Sequence, residues 1–303
     1  MRRLRFISLF GLTALVLAAQ VANGDEVGWR VARTRRFLIY YPAGKESTAE
    51  RAGDLAEKWY ATLSRKLKCS PGGLTPIYLY PDRRSFSEAV GVEPGERIVG
   101  IARTRTLRIS VDASGTFADI AHVIPHELVH VFISYKLRWN SYHMPLWMHE
   151  GLAKYLADDW TGPDAELLAD AAAGEDILPL ARISRMFPLD ERKRSIAYVQ
   201  SYSAVKYMAD QYSPDSIPGL LSEIEAGQPF KTALFYSIGV EPKEFEEKWR
   251  QYLWEEYSWA RWAKFASGLA WAGMGLLAIL AFRARILQKR RRAREMEQAD
   301  EFE

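Results

Sequence analysis

The segment His126-Glu127-Leu128-Val129-His130 carries the residue types and the spacing of a metal site. Residues four apart share one face of a helix, so His126 and His130 can present two imidazole nitrogens to one tetrahedral ion. Glu127 is offset around the helix and is poorly placed to be a ligand beside both histidines. Its carboxylate can instead take a proton from a water on the metal. The segment therefore predicts zinc-activated hydrolysis with Glu127 as general base.

A catalytic zinc site needs a third protein ligand and one open position. Glu150 is the best candidate, because it lies on a separate predicted helix and Gly151 leaves room for a close helix approach. His143 and His149 compete for this role. His143 lacks the spacing of sites that use three histidines, and His149 would point about a quarter turn away from Glu150. We therefore expect Glu150 to complete the ligand set of one Zn²⁺.

Hydrolysis of a carbonyl compound also needs a donor for the oxyanion that forms. Tyr198 and Tyr202 lie four apart on one face of a predicted helix and both offer a hydroxyl. Either could serve, and the alternative is that both are ordinary packing aromatics. His122 lies four residues before His126, and we interpret it as a surface or supporting residue rather than a ligand.

The elements that would position these residues divide the chain into two halves. Strands are predicted over 36–41, 76–80, 97–101 and 106–111, the last two forming a hairpin, and helices over 46–67, 117–135, 146–158, 165–173, 195–212, 216–226 and 242–256. This pattern predicts an α+β fold within a body spanning 25–261. An α+β lobe over 25–143 would precede a helical lobe over 144–261, with the candidate site at their join.

Pro125 lies directly before His126 and complicates the predicted helix. Proline inside a helix removes a backbone donor and kinks the axis. The helix therefore either bends at Pro125 or restarts there with proline in its first turn. Both alternatives keep the spacing of His126 and His130.

The two ends of the 303-residue chain predict an exported, anchored protein. Residues 1–24 have the layout of a signal peptide, with basic residues before an apolar run and small residues before Asp25; an uncleaved anchor is the alternative. The apolar stretch 265–282 is just long enough for a transmembrane helix, and a buried C-terminal helix is the alternative. The strongly basic tail 283–303 would stay on the cytoplasmic side, after interfacial aromatics such as Trp254.

This topology places the body outside the cytoplasm, most simply on the periplasmic face of a bacterial inner membrane. Cys69 is the single cysteine, so no internal disulfide can form. The 41 basic and 38 acidic residues nearly cancel, which predicts no nucleic-acid partner. Neither the natural substrate nor the oligomeric state follows from the sequence.

The stretch His126–His130, followed by Pro145-Leu146-Trp147-Met148-His149-Glu150-Gly151-Leu152-Ala153-Lys154-Tyr155, resembles the gluzincins, and within them the peptidase MA-like group. The resemblance covers nearly all of the body, from about Phe37 to Trp249. It implies a zincin-like fold: a small mixed sheet with an active-site helix beneath it, then a helical lobe. By this resemblance Val99–Ala102 is the edge that pairs with an extended peptide, and Tyr198 is favoured as the oxyanion donor.

Lys154 departs from the pattern of this group. Many gluzincins place an acid one turn after the third ligand, where it orients a zinc-bound histidine, and here that position is Lys154. Such partners tune ligand basicity and metal affinity. The role must therefore pass to another group, and Asp158, Asp159 or a backbone carbonyl are the alternatives.

These features predict a membrane-anchored, extracytoplasmic zinc metallopeptidase that hydrolyses a peptide or protein substrate. A zinc-binding, non-proteolytic envelope scaffold is one alternative: Lys154 favours it, whereas an intact Glu127 argues against it. A zinc hydrolase of a non-peptide amide is another. Arg103, Arg105 and Arg108 could line a substrate groove or simply face solvent.

Overall fold

The computed structural model describes residues 28–93, 98–103, 105–213, 215–260, 266, 271–286 and 288. The predicted signal peptide 1–24, part of the predicted membrane segment 265–282 and nearly all of the tail after 286 lie outside the described residues. Residues 271–286 are helical and exposed. Among the described residues, no helix has both the length and the apolar character that crossing a bilayer requires.

A five-stranded mixed sheet forms the first layer of the fold. Its strands are β1 (Arg30–Arg33), β2 (Phe37–Tyr41), β3 (Thr75–Tyr80), β4 (Gly100–Arg103) and β5 (Arg108–Asp112). They lie in the order β1-β2-β3-β5-β4, so β1 and β4 are the edges. The central pairs β2–β3 and β3–β5 are parallel, whereas both edge strands pair in antiparallel fashion. The predicted small mixed sheet, with its β4–β5 hairpin, is therefore confirmed.

The burial of alternate side chains along the central strands shows which face of the sheet packs against helices. Phe37, Ile39, Ile77 and Leu79 are fully buried, whereas the residues between them are half-buried. A period of two places all four on one face. This face packs against two helices, α1 (Glu46–Leu67) and α4 (Val123–Leu137).

The remaining helices follow the sheet in the chain or connect its strands. They are α2 (Arg83–Val90), α3 (Phe117–Ala121), the 3-10 helix Arg138–His143, α5 (Leu146–Leu156), α6 (Gly162–Ala173), α7 (Glu191–Gln211), α8 (Ser216–Glu225), α9 (Phe230–Ile238) and α10 (Pro242–Glu256). Sequence analysis overlooked β1, α2 and α9. The mixed sheet followed by helices fits a zincin-like domain.

The single helix predicted over 117–135 is wrong in one respect, because the structure divides it. Helix α3 ends at Ala121, His122 is the linking residue, and α4 begins at Val123. Pro125 therefore lies in the first turn of α4, where the missing N–H would have no helical partner in any case. Of the two alternatives for Pro125, the helix restarts rather than bends.

Helices α5 and α7 pack closely against each other at Gly151. A Cβ atom added to Gly151 would lie 2.3 Å from the backbone oxygen of Ser201 and 2.8 Å from Val205. Only glycine allows the two backbones to approach so closely. The close approach predicted at Gly151 is thus confirmed, and α7 is the helix that it meets.

Candidate metal centre

Two histidines of α4 and one glutamate of α5 converge in the structure. The Nε2 atoms of His126 and His130 lie 3.6 Å and 3.7 Å from Oε2 of Glu150. One donor atom from each residue lies within 4.8 Å of the other two, and no other such cluster occurs among the described residues. Tetrahedral Zn²⁺ with bonds of about 2.0–2.1 Å would place its donors about 3.4 Å apart. Two imidazoles and a carboxylate at this separation fit a zinc ion.

The other histidines near this cluster do not join it. His149 lies beside His130, with stacked rings 4.6 Å apart, so it supports the ligand ring instead of coordinating. His143 contacts Tyr142 in the 3-10 helix. His122 is exposed at the end of α3.

Asp159 contacts a predicted ligand histidine, the role for which Lys154 leaves no acid at the expected position. Its Oδ2 atom lies 3.5 Å from Nδ1 of His126, the nitrogen that faces away from Glu150. The same oxygen lies 3.2 Å from Nζ of Lys154, which also lies 3.5 Å from Asp164. Lys154 is buried, so its ammonium fixes Asp159 in position. Among the three alternatives raised by the sequence, the structure favours Asp159.

The pKa values around the cluster show that it favours a central cation. Burial alone would lower the pKa of His126, but its contacts with Asp159 and Glu150 raise that pKa to about 9. Burial would raise the pKa of Glu150, but the neighbouring histidines lower it to about 2. Burial lowers the pKa of His130 to about 3, so this ring is neutral and ready to bind a metal.

Glu127 lies against the edge strand β4. It is buried, and the backbone of Ala102 is a hydrogen-bond partner of its carboxylate. A Cβ atom at Gly100 would lie 2.9 Å from Oε1 of Glu127, so glycine leaves the space that this carboxylate occupies. Burial, together with the charge of Glu150, raises the pKa of Glu127 to about 7. A pKa near neutrality suits a general base.

A cavity of about 630 Å³ opens beside the cluster. Tyr198 lines it together with the three predicted ligands, Glu127 and the β4 edge. The ring of Tyr198 packs edge-on against Phe187, 4.9 Å away. Burial and the nearby acidic groups raise the pKa of Tyr198, so its hydroxyl stays protonated and can donate a hydrogen bond.

The structure separates the two tyrosines that the sequence offered as donors. Tyr202 stacks on Trp160 at 4.1 Å and borders a different, smaller cavity. Within the part of the chain that is described, only Tyr198 of the two reaches the metal cavity.

Ser184 and Arg185 form a wall of the metal cavity that sequence analysis did not identify. They lie in the connection between α6 and α7, and the backbone N–H of Leu146 donates to the carbonyl of Ser184 at 2.8 Å. This bond fixes the loop at the start of α5. No motif or periodicity marks the loop, so a single sequence carries no signal for it.

The elements that carry these residues match the model of a known protein family. The model of the Peptidase MA superfamily matches residues 62–255, more than half of the chain, including α4, α5 and α7. The chain belongs to the Peptidase MA superfamily. The membership confirms the gluzincin resemblance of the segments around His126 and Glu150.

The fold is similar to the crystal structure of a mutant M1 zinc metallopeptidase from Deinococcus radiodurans, at 18% identity and a TM-score of 0.41. The alignment covers 73% of this chain and 48% of that one, so the chain matches about half of that peptidase's length. The comparison with curated proteins finds no match.

Proposed function

We propose that this Peptidase MA member is a zinc metallopeptidase that hydrolyses peptide bonds in peptides or proteins. One observation carries the proposal. His126, His130 and Glu150 converge at 3.6–3.7 Å on a cavity that also holds Glu127 and Tyr198. Zn²⁺ bound by the first three would polarise the substrate carbonyl and acidify the attacking water.

The chain's own residues would perform the remaining steps. Glu127 takes a proton from the attacking water and delivers it to the leaving amine, which its pKa of about 7 permits. The Tyr198 hydroxyl donates a hydrogen bond to the oxygen that becomes negative. The free edge of β4 pairs with an extended peptide through main-chain hydrogen bonds. Asp159 keeps His126 in the orientation that directs Nε2 to the metal.

The decisive experiment measures zinc content and peptide hydrolysis on the full-length protein, purified in mild detergent. Wild type is compared with Glu127→Gln, which removes the base and keeps the side-chain volume. We expect about one zinc ion in both proteins and hydrolysis of a broad peptide library by the wild type alone. Equal activity in both proteins would contradict the role of Glu127.

The same experiment tests the two alternative functions. A zinc-binding scaffold would retain zinc and hydrolyse nothing in either form. The sequence feature that favoured it was Lys154, and the contact of Asp159 with His126 removes that support. A hydrolase of non-peptide amides would cleave small aryl or acyl amides in a Glu127-dependent manner and leave peptides intact.

The proposal includes export and a membrane anchor. A signal peptide over 1–24 would direct the body across a bacterial inner membrane, and residues 265–282 would hold it there with the tail 283–303 in the cytoplasm. The described helical residues 271–286 support this, because large apolar side chains such as Trp271, Leu277 and Phe282 are exposed. A reporter enzyme active only in the cytoplasm, fused after residue 303, is expected to be active. Release of the protein from membranes by high salt alone would contradict the anchor.

A further inference from the structure

A second cavity, of about 870 Å³, lies beside the metal cavity and has no role in the steps above. Its lining consists of Arg105, Leu107, Ser134, Tyr135, Arg138, Trp139 and Ser141. These residues come from three elements: the turn of the β4–β5 hairpin, the end of α4, and the 3-10 helix that follows it. We call this space the Trp139 cavity.

The Trp139 cavity and the metal cavity are bordered by the same elements. Helix α4 contributes His130 to the metal cavity and Ser134, one turn later, to the Trp139 cavity. The 3-10 helix contributes Tyr142 to the first and Ser141 to the second.

The β4–β5 hairpin also borders both cavities. Its strand β4 lines the metal cavity at Gly100 and Ala102, and the turn after it lines the Trp139 cavity at Arg105. Three elements thus border both spaces, and along α4 and the hairpin the residues of the metal cavity are followed by those of the Trp139 cavity. A peptide extended beside β4 would pass from one cavity toward the other.

The chemistry of the Trp139 cavity is that of an anion site. Arg105 and Arg138 are exposed, and within the described part of the chain neither makes an ion pair or a side-chain hydrogen bond. No carboxylate occurs among the lining residues. Guanidinium groups form their strongest hydrogen bonds with carboxylates or phosphates.

Two further side chains of the Trp139 cavity are available to contact a bound ligand. Trp139 is 90% exposed at the rim of the cavity, where its ring offers a large surface for contact with a peptide. Ser134 is only 8% exposed, and its hydroxyl oxygen has no hydrogen-bond partner. A buried polar group without a partner marks a place where a ligand or water completes the bonding.

We propose that the Trp139 cavity is a substrate subsite that binds a carboxylate of the peptide. The inference rests on the peptidase function proposed above. Ser134 lies one helical turn and Arg138 two turns beyond His130, which corresponds to roughly 5 to 12 Å along α4. An extended peptide advances about 3.3 Å per residue. The carboxylate therefore belongs to a residue about two to four positions from the scissile bond.

The test uses full-length, zinc-loaded protein and peptides with one scissile bond. Glu or Gln is placed in turn at the second, third and fourth position on each side of that bond, and kcat/KM is measured. At one of these positions, wild type is expected to prefer Glu over Gln about 10-fold or more, as for hydrogen bonds to charged groups. The Arg105→Gln/Arg138→Gln double variant is expected to cleave both peptides with equal kcat/KM.

Arg65→Gln is the matched control. Arg65 is exposed on α1 and lines neither cavity, so this variant should keep the full preference for Glu. Loss of preference in Arg65→Gln as well would attribute it to general charge and overturn the subsite. Zinc content and the melting temperature verify that each variant is folded.

The bound carboxylate can belong to an internal acidic side chain or to the C-terminus of the substrate, and amidation of the C-terminus distinguishes the two. If an internal acidic side chain is bound, peptides with an amidated C-terminus keep the preference for Glu. If the terminal carboxylate is bound, Glu and Gln peptides are cleaved alike, and amidation of the C-terminus lowers kcat/KM for both in the wild type but not in the arginine double variant. Either result supports the carboxylate subsite and identifies its source.

A binding assay keeps this proposal separate from the proposed function. Fluorescently labelled peptides are titrated with zinc-loaded Glu127→Gln protein, and anisotropy gives Kd without turnover. Tighter binding of the Glu peptide, lost in the arginine variants, would uphold the subsite even if wild type hydrolysed nothing. Equal Kd and equal kcat/KM for Glu and Gln peptides at every position, with no effect of amidating the C-terminus, would overturn it.

Discussion

Loss of the Tyr198 hydroxyl should affect catalysis and leave metal binding intact, because Tyr198 lines the metal cavity but is not a predicted ligand. Tyr198→Phe is expected to lower kcat about 10²–10³-fold, as for the loss of one oxyanion donor, with little effect on KM. Bound zinc is expected to stay at the wild-type level. Steady-state kinetics on one cleaved peptide and metal analysis of the same sample measure both quantities.

Tyr202→Phe serves as the control, since Tyr202 packs on Trp160 outside the metal cavity. It is expected to retain wild-type kcat. If the two variants lost activity equally, Tyr198 would be a packing residue.

Asp159 determines how firmly His126 is held. Asp159→Asn keeps the side-chain shape but removes the charge that contacts both His126 and Lys154. We expect zinc affinity to fall about 10–100-fold, as for other partners of metal ligands. Competition with a chromophoric chelator measures the affinity.

The neighbouring Asp158→Asn is the matched control for Asp159. Asp158 has a φ of 56°, a left-handed conformation that asparagine also tolerates. The zinc affinity of Asp158→Asn should therefore match that of the wild type. Equal weakening in both variants would mean that general negative charge, and not the His126 contact, is responsible.

His126 also makes metal binding dependent on pH. Its pKa is raised to about 9 in the metal-free protein, so the ring is protonated at neutral pH, whereas His130 is already neutral. A metal can bind only the deprotonated ring. Zinc binding near pH 7.5 should therefore release about one proton, and the release should disappear as the pH rises past about 9.

Titration calorimetry in buffers of different ionisation enthalpy measures this proton release. The apparent binding enthalpy is expected to vary linearly with the buffer enthalpy near pH 7.5. A slope of zero at that pH would show that His126 is not protonated in the metal-free protein.

At the scale of elements, the contact between α5 and α7 determines where Glu150 lies. Gly151→Ala would place a methyl group 2.3 Å from the backbone oxygen of Ser201, so the helices must separate. Overpacking of this kind destabilises by about 1–3 kcal/mol, and displacement of Glu150 should weaken zinc binding. Urea denaturation and zinc affinity measure the two effects.

Gly219→Ala is the control for Gly151→Ala. Gly219 lies within α8, and its added Cβ would meet the side chain of Ser237 at an ordinary contact distance of 3.7 Å. The stability of Gly219→Ala is expected to be at or slightly above that of the wild type, because alanine favours helix over glycine. An equal loss in both variants would show that the α5–α7 contact has no special role.

The elements that the sequence predicted well are those with strong local patterns. Helix α1 was predicted with its observed ends because its apolar residues recur at helical spacing. Helices α3 and α4 were predicted as one helix over 117–135, since Pro125 left two alternatives that local sequence could not decide. Helix α2 was overlooked although Asp82 accepts a hydrogen bond from the backbone of Ser85, the signature of a helix start.

The residues of the candidate site also differ in how far the local sequence predicts them. The spacing of His126 and His130 lies within one helix, so sequence alone sufficed to pair them. Glu150 was predicted from its position on a separate predicted helix beside Gly151 and from the need for a third ligand, and Asp159 only as one of three alternatives. Arg185 and Arg138 depend on how distant segments pack, and a single chain contains no local signal for such contacts.

At the scale of the whole molecule, metal binding should stabilise the fold. The ligands come from α4, which packs on the sheet, and α5, which packs on α7, so one ion joins the two parts. Free zinc at 100 times Kd would add about 2.7 kcal/mol. Chelation should therefore lower the melting temperature by several degrees, as measured by calorimetry.

A ligand variant controls for other effects of the chelator. His130→Ala lacks one of the three donors, so its melting temperature should not respond to zinc or chelator. A full chelator effect in His130→Ala would place the stabilising ion elsewhere.

The position of β4 at the edge of the sheet has a consequence for the behaviour of the protein in solution. An edge open to a peptide is, by the same chemistry, open to a strand from a second copy of the chain. Two features limit this self-association: β4 is only four residues long, and it ends at the exposed, basic Arg103. Short, charged edges are how soluble proteins avoid aggregation. The strand proposed to admit substrates is thus also an edge at which the protein could pair with itself.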